Sequence, residues 1–393
     1  MGKIRIIIAI IGVSLILQAC GSASATPPPS PINTEPIATQ PPVTVTEATL
    51  APTGEFFSEI PVRSGYAFRA AWLELYFTDP ASPLAQRGVG GIDALVASSI
   101  LAARESVDVA LKDLRLESVT KVLLAAAQRG VAVRVVTETD SLTARSTLQQ
   151  LKDAGIPVVD DQQAGGLMNN RFIVIDHNQV WTGSMNFDVP GVFREDAALI
   201  RIFSQEVAAN YTREFDEMFV NNQFGPLIVP ETPNPSVTID GTQVEVFFSP
   251  DDVVSGRLSQ LLGDAKESIY FLAYAFASDD LGKTIRDKAA QGVTVSGVLE
   301  FDQVDPNQVN PNPNQIEELN LFRQAGLDIR LHSAPEVMYH KLMIIDGSIV
   351  VFGSYDFTNR AETDNDENVL IIHNEDVAQK FLEEFQRIQS RAQ

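Results

Sequence analysis

At 393 residues, 45% hydrophobic and 20% charged, the chain is long enough for two globular domains. Its formal net charge of −22 excludes the basic stripe of a DNA-binding protein and makes nucleic acid an unexpected partner, although a local positive pocket can still hold one phosphate. The only cysteine is Cys20, so no intramolecular disulfide forms.

Lys3 and Arg5 precede an apolar run over residues 6–17, too short to span a bilayer as a helix and shaped like a secretory signal. The run ends in Leu17-Gln18-Ala19-Cys20. That ending resembles a bacterial lipobox, which implies removal of residues 1–19 and lipidation of the Cys20 sulfur. The expected location is the cell envelope, exported and lipid-anchored to a membrane; an ordinary signal peptide or an uncleaved anchor is the alternative. Gly21 is not the Asp associated with inner-membrane retention in Gram-negative bacteria. Residues 20–58 are rich in Pro, Thr, Ala and Ser and have too few large apolar side chains to offset ordering entropy. They read as a semi-extended tether.

Strand and helix signals then alternate. The first half predicts a strand over 73–77, an amphipathic helix over 92–104, a strand over 107–111, a helix over 118–128 closed by Arg129-Gly130, and a β-branched strand over 131–136. The second half repeats the order: a strand over 244–248, a helix before Ala265, a strand over 268–273, a helix to Ala290 closed by Gln291-Gly292, and a strand over 293–299. Such alternation predicts mixed or mainly parallel sheets covered by helices. The expected domains are 65–223 and 241–393, joined by a linker over 224–240 that carries Pro226, Pro230, Pro233 and Pro235. An Asn- and Pro-rich stretch, 305–314, interrupts only the second half and reads as a rim or lid, or as a solvated insertion.

The most specific signal is a duplication. NNRFIVIDHNQVWTGSMNF, from Asn169, returns without a gap as YHKLMIIDGSIVVFGSYDF, from Tyr339, at a separation of 339 − 169 = 170 residues. Each block resembles the phospholipase D superfamily signature: His-x-Lys, four residues, Asp, six residues, Gly-Ser-x-Asn. The resemblance implies two pseudo-symmetric α/β sandwich domains whose motifs meet at one site. There one histidine attacks phosphorus, the other protonates the leaving group, and the lysines and Gly-Ser-x-Asn groups hold the phosphate oxygens. No cofactor or metal is implied. On a strand, residues two apart share a face, so the first and third motif positions project together. Imidazole suits proton transfer near neutrality, and basic and amide donors offset charge on the phosphoryl oxygens.

Both histidines are replaced. The first motif has Asn169, which offers neither a nucleophile nor a titratable proton, and Arg171, whose planar fork still suits phosphate. The second has Tyr339, Lys341 and, at the last position, Asp356. A phenol, with a reference pKa of about 10, is a poor acid-base group at neutral pH but serves some enzymes as a nucleophile. Asp356 places negative charge where a phosphate oxygen is expected. The motif positions are thus Asn169, Arg171, Asp176, Tyr339, Lys341 and Asp346, and the expected phosphate contacts are Arg171, Ser184, Asn186, Lys341, Ser354 and Asp356. Asp176 and Asp346 lie at strand-to-turn junctions, where turn capping explains them as well as chemistry does. Ser184 and Ser354 suit phosphate or local backbone equally. His340 should face away from Lys341, and His177 should face solvent. Glu195 and Glu367 match an acidic residue that commonly orients the family's histidine, a task that lapses without one. The leading expectation is a membrane-anchored protein, degenerate in hydrolysis, that keeps a cleft for a phosphodiester or phospholipid headgroup. An active phosphodiesterase working through Tyr339 or His340, and a non-catalytic envelope scaffold, are the alternatives.

Overall fold

The computed structural model describes residues 56–393, except 163, 164, 228, 229, 306 and 308–310. Cys20, the lipobox and nearly all of the expected tether lie outside the described residues. Phe56 and Phe57 already pack against the core, and Ser58–Glu59 forms a short edge strand, so ordered structure begins before residue 65.

The first repeat contains β1 (Tyr66–Arg69), β2 (Leu73–Phe77), α1 (Asp93–Ala102), β3 (Ser106–Leu111), α2 (Glu117–Gln128), β4 (Ala132–Thr137), β5 (Val158–Asp160), β6 (Arg171–Ile175), β7 (Gln179–Gly183), β8 (Ala198–Phe203) and α3 (Gln205–Phe219). The second contains β9 (Ser236–Ile239), β10 (Thr242–Ser249), α4 (Val254–Asp264), β11 (Ser268–Ala273), α5 (Asp279–Ala290), β12 (Thr294–Glu300), α6 (Pro313–Gln324), β13 (Asp328–His332), β14 (Lys341–Ile345), β15 (Ile349–Gly353), β16 (Glu367–His373) and α7 (Glu375–Gln389). The sheets repeat one order: β2-β8-β7-β6-β3-β4-β5 in the first and β10-β16-β15-β14-β11-β12-β13 in the second. Both are mixed; β3-β4-β5 and β11-β12-β13 run parallel, while β3 and β6 pair antiparallel, as do β11 and β14. The two predicted helix closures are present, with Gly130 and Gly292 in the left-handed region at φ +90° and +95°.

Burial explains why the motif strands read as continuous apolar runs: every residue of β6 and β14 is buried, because both faces of each sheet are covered. Side-chain alternation sorts them. Phe172 and Val174 point into one central core with Leu342, Ile344 and Phe352 of the second repeat, whereas Ile173 and Ile175 pack outward beneath α1 and α2. Helices α3 and α7 fill that centre through Val207, Tyr211, Phe215 and Val377, Phe381, Phe385. The two repeats therefore share a core and pack as one compact unit. The expected linker differs too. Val237 is buried between exposed Ser236 and Thr238, and this alternation makes β9 an edge strand on β10; Asp240 and Gly241, both at positive φ, turn the chain between them. The 305–314 stretch ends as a helix cap, with the Asn312 side chain accepting from the Asn314 and Gln315 amides. No described helix is long and apolar enough to cross a membrane.

Candidate functional site

Each motif begins where the chain crosses to the other repeat. Val337–Met338 pairs in parallel with Glu195–Asp196, and the Tyr339 amide donates to the Asp196 carbonyl at 2.8 Å. In the mirrored crossing Met168 bridges to Asp366, and the Asn169 amide donates to the Asp366 carbonyl at 3.0 Å. These crossings bring the two motif starts together. Arg171 joins them: Nη1 donates to the Asn169 carbonyl at 3.1 Å, Nη2 to the Tyr339 hydroxyl at 3.3 Å, and Nε to Asn186 Oδ1 at 3.0 Å.

The charges in the cleft are distributed unequally. Lys341 Nζ donates to Asp356 Oδ1 at 2.5 Å and lies 4.3 Å and 4.9 Å from the ring centroids of Tyr339 and Tyr274, which pack against each other at 4.4 Å. Its charge is already matched. Arg171 is 2% exposed, yet its hydrogen bonds end on uncharged oxygens and it pairs with no carboxylate among the described residues. Beside it lies a depression of about 30 Å³, room for a single water-sized group, lined by Lys112, Asp113, Asn186, Phe187 and Asp188.

Glu367 does have a task. Its Oε1 accepts from Asn169 Nδ2 at 2.7 Å and Asn365 Nδ2 at 2.9 Å, and its Oε2 accepts from the Asp356 amide at 2.7 Å. An acid from one repeat thus holds the first motif residue of the other, which sequence alone did not show. Burial, then the Asp356 carboxylate, push Glu367 up to about 7 despite Lys341. Glu195 accepts from Asn186 Nδ2 at 2.8 Å and is raised by burial.

Other motif residues serve the scaffold. The Ser184 hydroxyl accepts from the Ala198 amide at 3.1 Å, and Ser354 from the amide and side chain of Asn368 at 3.0 and 3.1 Å. Asp176 accepts from the amides of Arg104, Glu105 and Ser106, and Asp346 from those of Lys266, Glu267 and Ser268. Both stand at the far ends of β6 and β14, roughly 15 Å of strand from the crossings. That places neither aspartate in the cleft, a correction to their reading as catalytic positions. His340 turns inward, fully buried, with Nε2 2.7 Å from Glu384 Oε1 on α7, and His177 is exposed.

Sequence reasoning missed Lys112 and Tyr274. They occupy equivalent places just past β3 and β11, where their amides donate to the carbonyls of Asn170 and His340 at 3.2 and 2.9 Å. Their position at the carboxyl ends of central strands was the available signal.

Glu214 and Glu217 of α3, with Asp251 just past β10, form the one group among the described residues spaced like a cation site, although Glu217 already pairs with Arg213 at 2.9 Å. Burial first, then Asp251, Asp366 and Glu217, push Glu214 well above the ordinary carboxylate range. The folded protein therefore keeps a proton that the unfolded chain loses, and stability falls as pH rises from the ordinary value toward the raised one. Glu214→Gln is expected to raise the urea midpoint at pH 8 relative to wild type and to bring little gain at pH 5. A gain equal at both pH values would contradict this.

A duplicated α/β fold with equivalent strands meeting at a shared cleft defines a phospholipase D-like protein. The sequence model of the family described as "Cardiolipin synthase, PLD-like domain" matches residues 96–219 and again 258–389, and the chain belongs to that family. Human mitochondrial cardiolipin hydrolase is 33% identical over 132 residues, covering 34% of this chain and 49% of that protein. A phospholipase D of Rickettsia bellii is 26% identical over 168 residues, covering 41% and 78%. The fold is also that of phosphatidylserine synthase from Haemophilus influenzae, with TM-score 0.61 at 13% identity over 77% of this chain and 85% of that one.

Proposed function

We propose that this protein is an exported, lipid-anchored phospholipase D-like protein that has lost phosphodiester hydrolysis and keeps an anion-binding cleft centred on Arg171. The observation that carries the reading is Arg171 itself: a buried guanidinium that makes no direct carboxylate contact among the described residues, with only Glu195 beyond Asn186 feeling its charge, gains from an anion that completes it. Loss of hydrolysis follows from the first motif positions. Asn169 stands in place of one histidine and spends its amide on Glu367, and Tyr339 stands in place of the other and spends its hydroxyl on Arg171.

The full chain in detergent is expected to show no turnover of a generic phosphodiester or of phosphatidylcholine, while inorganic phosphate binds in a calorimeter. Arg171→Ala should weaken that binding by about 10- to 100-fold, the worth of a charged hydrogen bond, and most at low salt. Lys341→Ala should matter less, since Asp356 already neutralises Lys341. Equal binding by wild type and Arg171→Ala would sink the reading.

One observation favours a second reading. The Tyr339 hydroxyl lies beside Arg171 and its ring beside Lys341, so a phosphate held by these cations would stand next to a hydroxyl that serves some enzymes as a nucleophile. A wild-type rate abolished by Tyr339→Phe, with a trapped phosphoprotein, would establish it.

The anchor rests on the lipobox resemblance. Cys20→Ala should release the protein or leave its precursor unprocessed, seen as a size shift and a change of membrane fraction. Normal processing with unchanged membrane retention would refute lipidation at Cys20.

A further inference from the structure

The crossing at which the second motif begins is held by two buried acids. Glu300, the last residue of β12, accepts from the Met338 amide at 2.7 Å, and the Asp196 carbonyl accepts from the Tyr339 amide at 2.8 Å. His332 closes β13 between them and is itself fully buried. Its Nδ1 faces Glu300 Oε2 at 3.5 Å and its Nε2 faces Asp196 Oδ2 at 3.8 Å. Among the described residues neither ring nitrogen has a hydrogen-bond partner, and Asp196 Oδ2 has none.

The other charges lie on one side of the ring. Glu300 meets no other cation among the described residues, whereas Asp196 also meets Arg387 at 2.6 Å and Arg391 at 3.9 Å. Behind Asp196, Arg387 pairs with Glu384, Glu384 holds His340, and both arginines approach Asp79. The crossing at the first motif serves as an internal control. There Glu138 accepts from the Met168 amide at 2.8 Å and the Asp366 carbonyl from the Asn169 amide at 3.0 Å, the same two holds. Strand register puts Asp161 in the place of His332, and its Oδ1 accepts from the Thr139 amide at 2.7 Å. The fold therefore needs no imidazole to build a crossing.

We propose that His332 is a proton-operated clamp on the crossing that carries Tyr339. A neutral imidazole has one N–H and serves one acid; the charged ring donates from both nitrogens and serves Glu300 and Asp196 together. Leaving either buried acid unserved is costly, so the charged ring draws both side chains in and the neutral ring releases one. Imidazole is the side chain that changes charge between about pH 5 and 8, so the crossing is tight at the acid end of that range and loosens as pH rises.

The test is amide hydrogen exchange on the full chain in detergent, wild type against His332→Gln, at pH 5 and pH 8. Comparing the two proteins at each pH cancels the intrinsic dependence of exchange on pH. At Met338 and Tyr339 the wild type should be about tenfold better protected than the variant at pH 5, the worth of one charged hydrogen bond, and should lose that advantage at pH 8. At Met168 and Asn169 the two proteins should match. An advantage equal at both pH values, or one shared by the first crossing, overturns the clamp. Should His332→Gln not fold, nitrogen NMR of the wild-type imidazoles decides, with only four histidines to assign. A His332 ring that keeps one protonation state from pH 5 to pH 8 overturns the proposal as well.

Discussion

Replacing Arg387 with Met is expected to destabilise the protein by about 3–5 kcal/mol, the cost of leaving buried charges unpaired. Arg387 Nη2 donates to Asp196 Oδ1 and Glu384 Oε1, both at 2.6 Å, and Glu384 in turn meets His340 at 2.7 Å. Asp196, Glu384 and His340 are all buried, and they link α7 to the crossing at which the second motif begins. Burial alone raises Glu384, but Arg387 and His340 more than offset it and bring the carboxyl down to about 2. The stability this contributes is fully present above the ordinary value of 4.5 and is lost as pH falls from there toward 2. The penalty of Arg387→Met, read from urea unfolding, should therefore be largest at neutral pH and shrink below pH 4.5. Arg387→Lys should recover part of it, since a point charge cannot make the forked contact. A loss below about 1 kcal/mol, the range of an exposed pair, would show the network to be dispensable.

The second large effect is on chemistry. Asn169→His, Arg171→Lys, Tyr339→His and Asp356→Asn together are expected to raise phosphodiester turnover by at least about 10³-fold over wild type, against the roughly 10⁶-fold that a missing nucleophile costs elsewhere. Much of the supporting geometry is in place. Glu367 Oε1 already holds the side chain at 169 at 2.7 Å, where it would orient an imidazole, and Asp356→Asn frees Lys341. Tyr339→His alone should stay at background, because residues that act as a unit are not additive. A well-folded quadruple variant that binds phosphate and turns nothing over would show that the cleft has drifted beyond the motif.

The particulars divide by physical origin. The strands 73–77 and 268–273 and the glycine-closed helices were legible because periodicity and caps are local properties, and the 170-residue duplication made the paired sheets legible as well. His340 was readable as facing away from Lys341 from strand parity alone. Asp176 and Asp346 were ambiguous locally, since a turn residue and a site residue look alike until the amides they accept from, some 70 to 80 positions earlier, are located.

By itself the sequence determined the repeat, the alternating α/β elements and which residues, Asn169 and Tyr339 among them, stand at the matching positions of the two blocks, all set by residue type and spacing. Only the tertiary structure decided that the repeats share one core, that Glu367 reaches across to Asn169, and that Lys341 pairs directly with Asp356 while Arg171 meets Glu195 only through Asn186. Those outcomes depend on which buried charges meet across a crossing of the two repeats, and desolvation makes each such meeting decisive although it leaves no periodic mark in the chain.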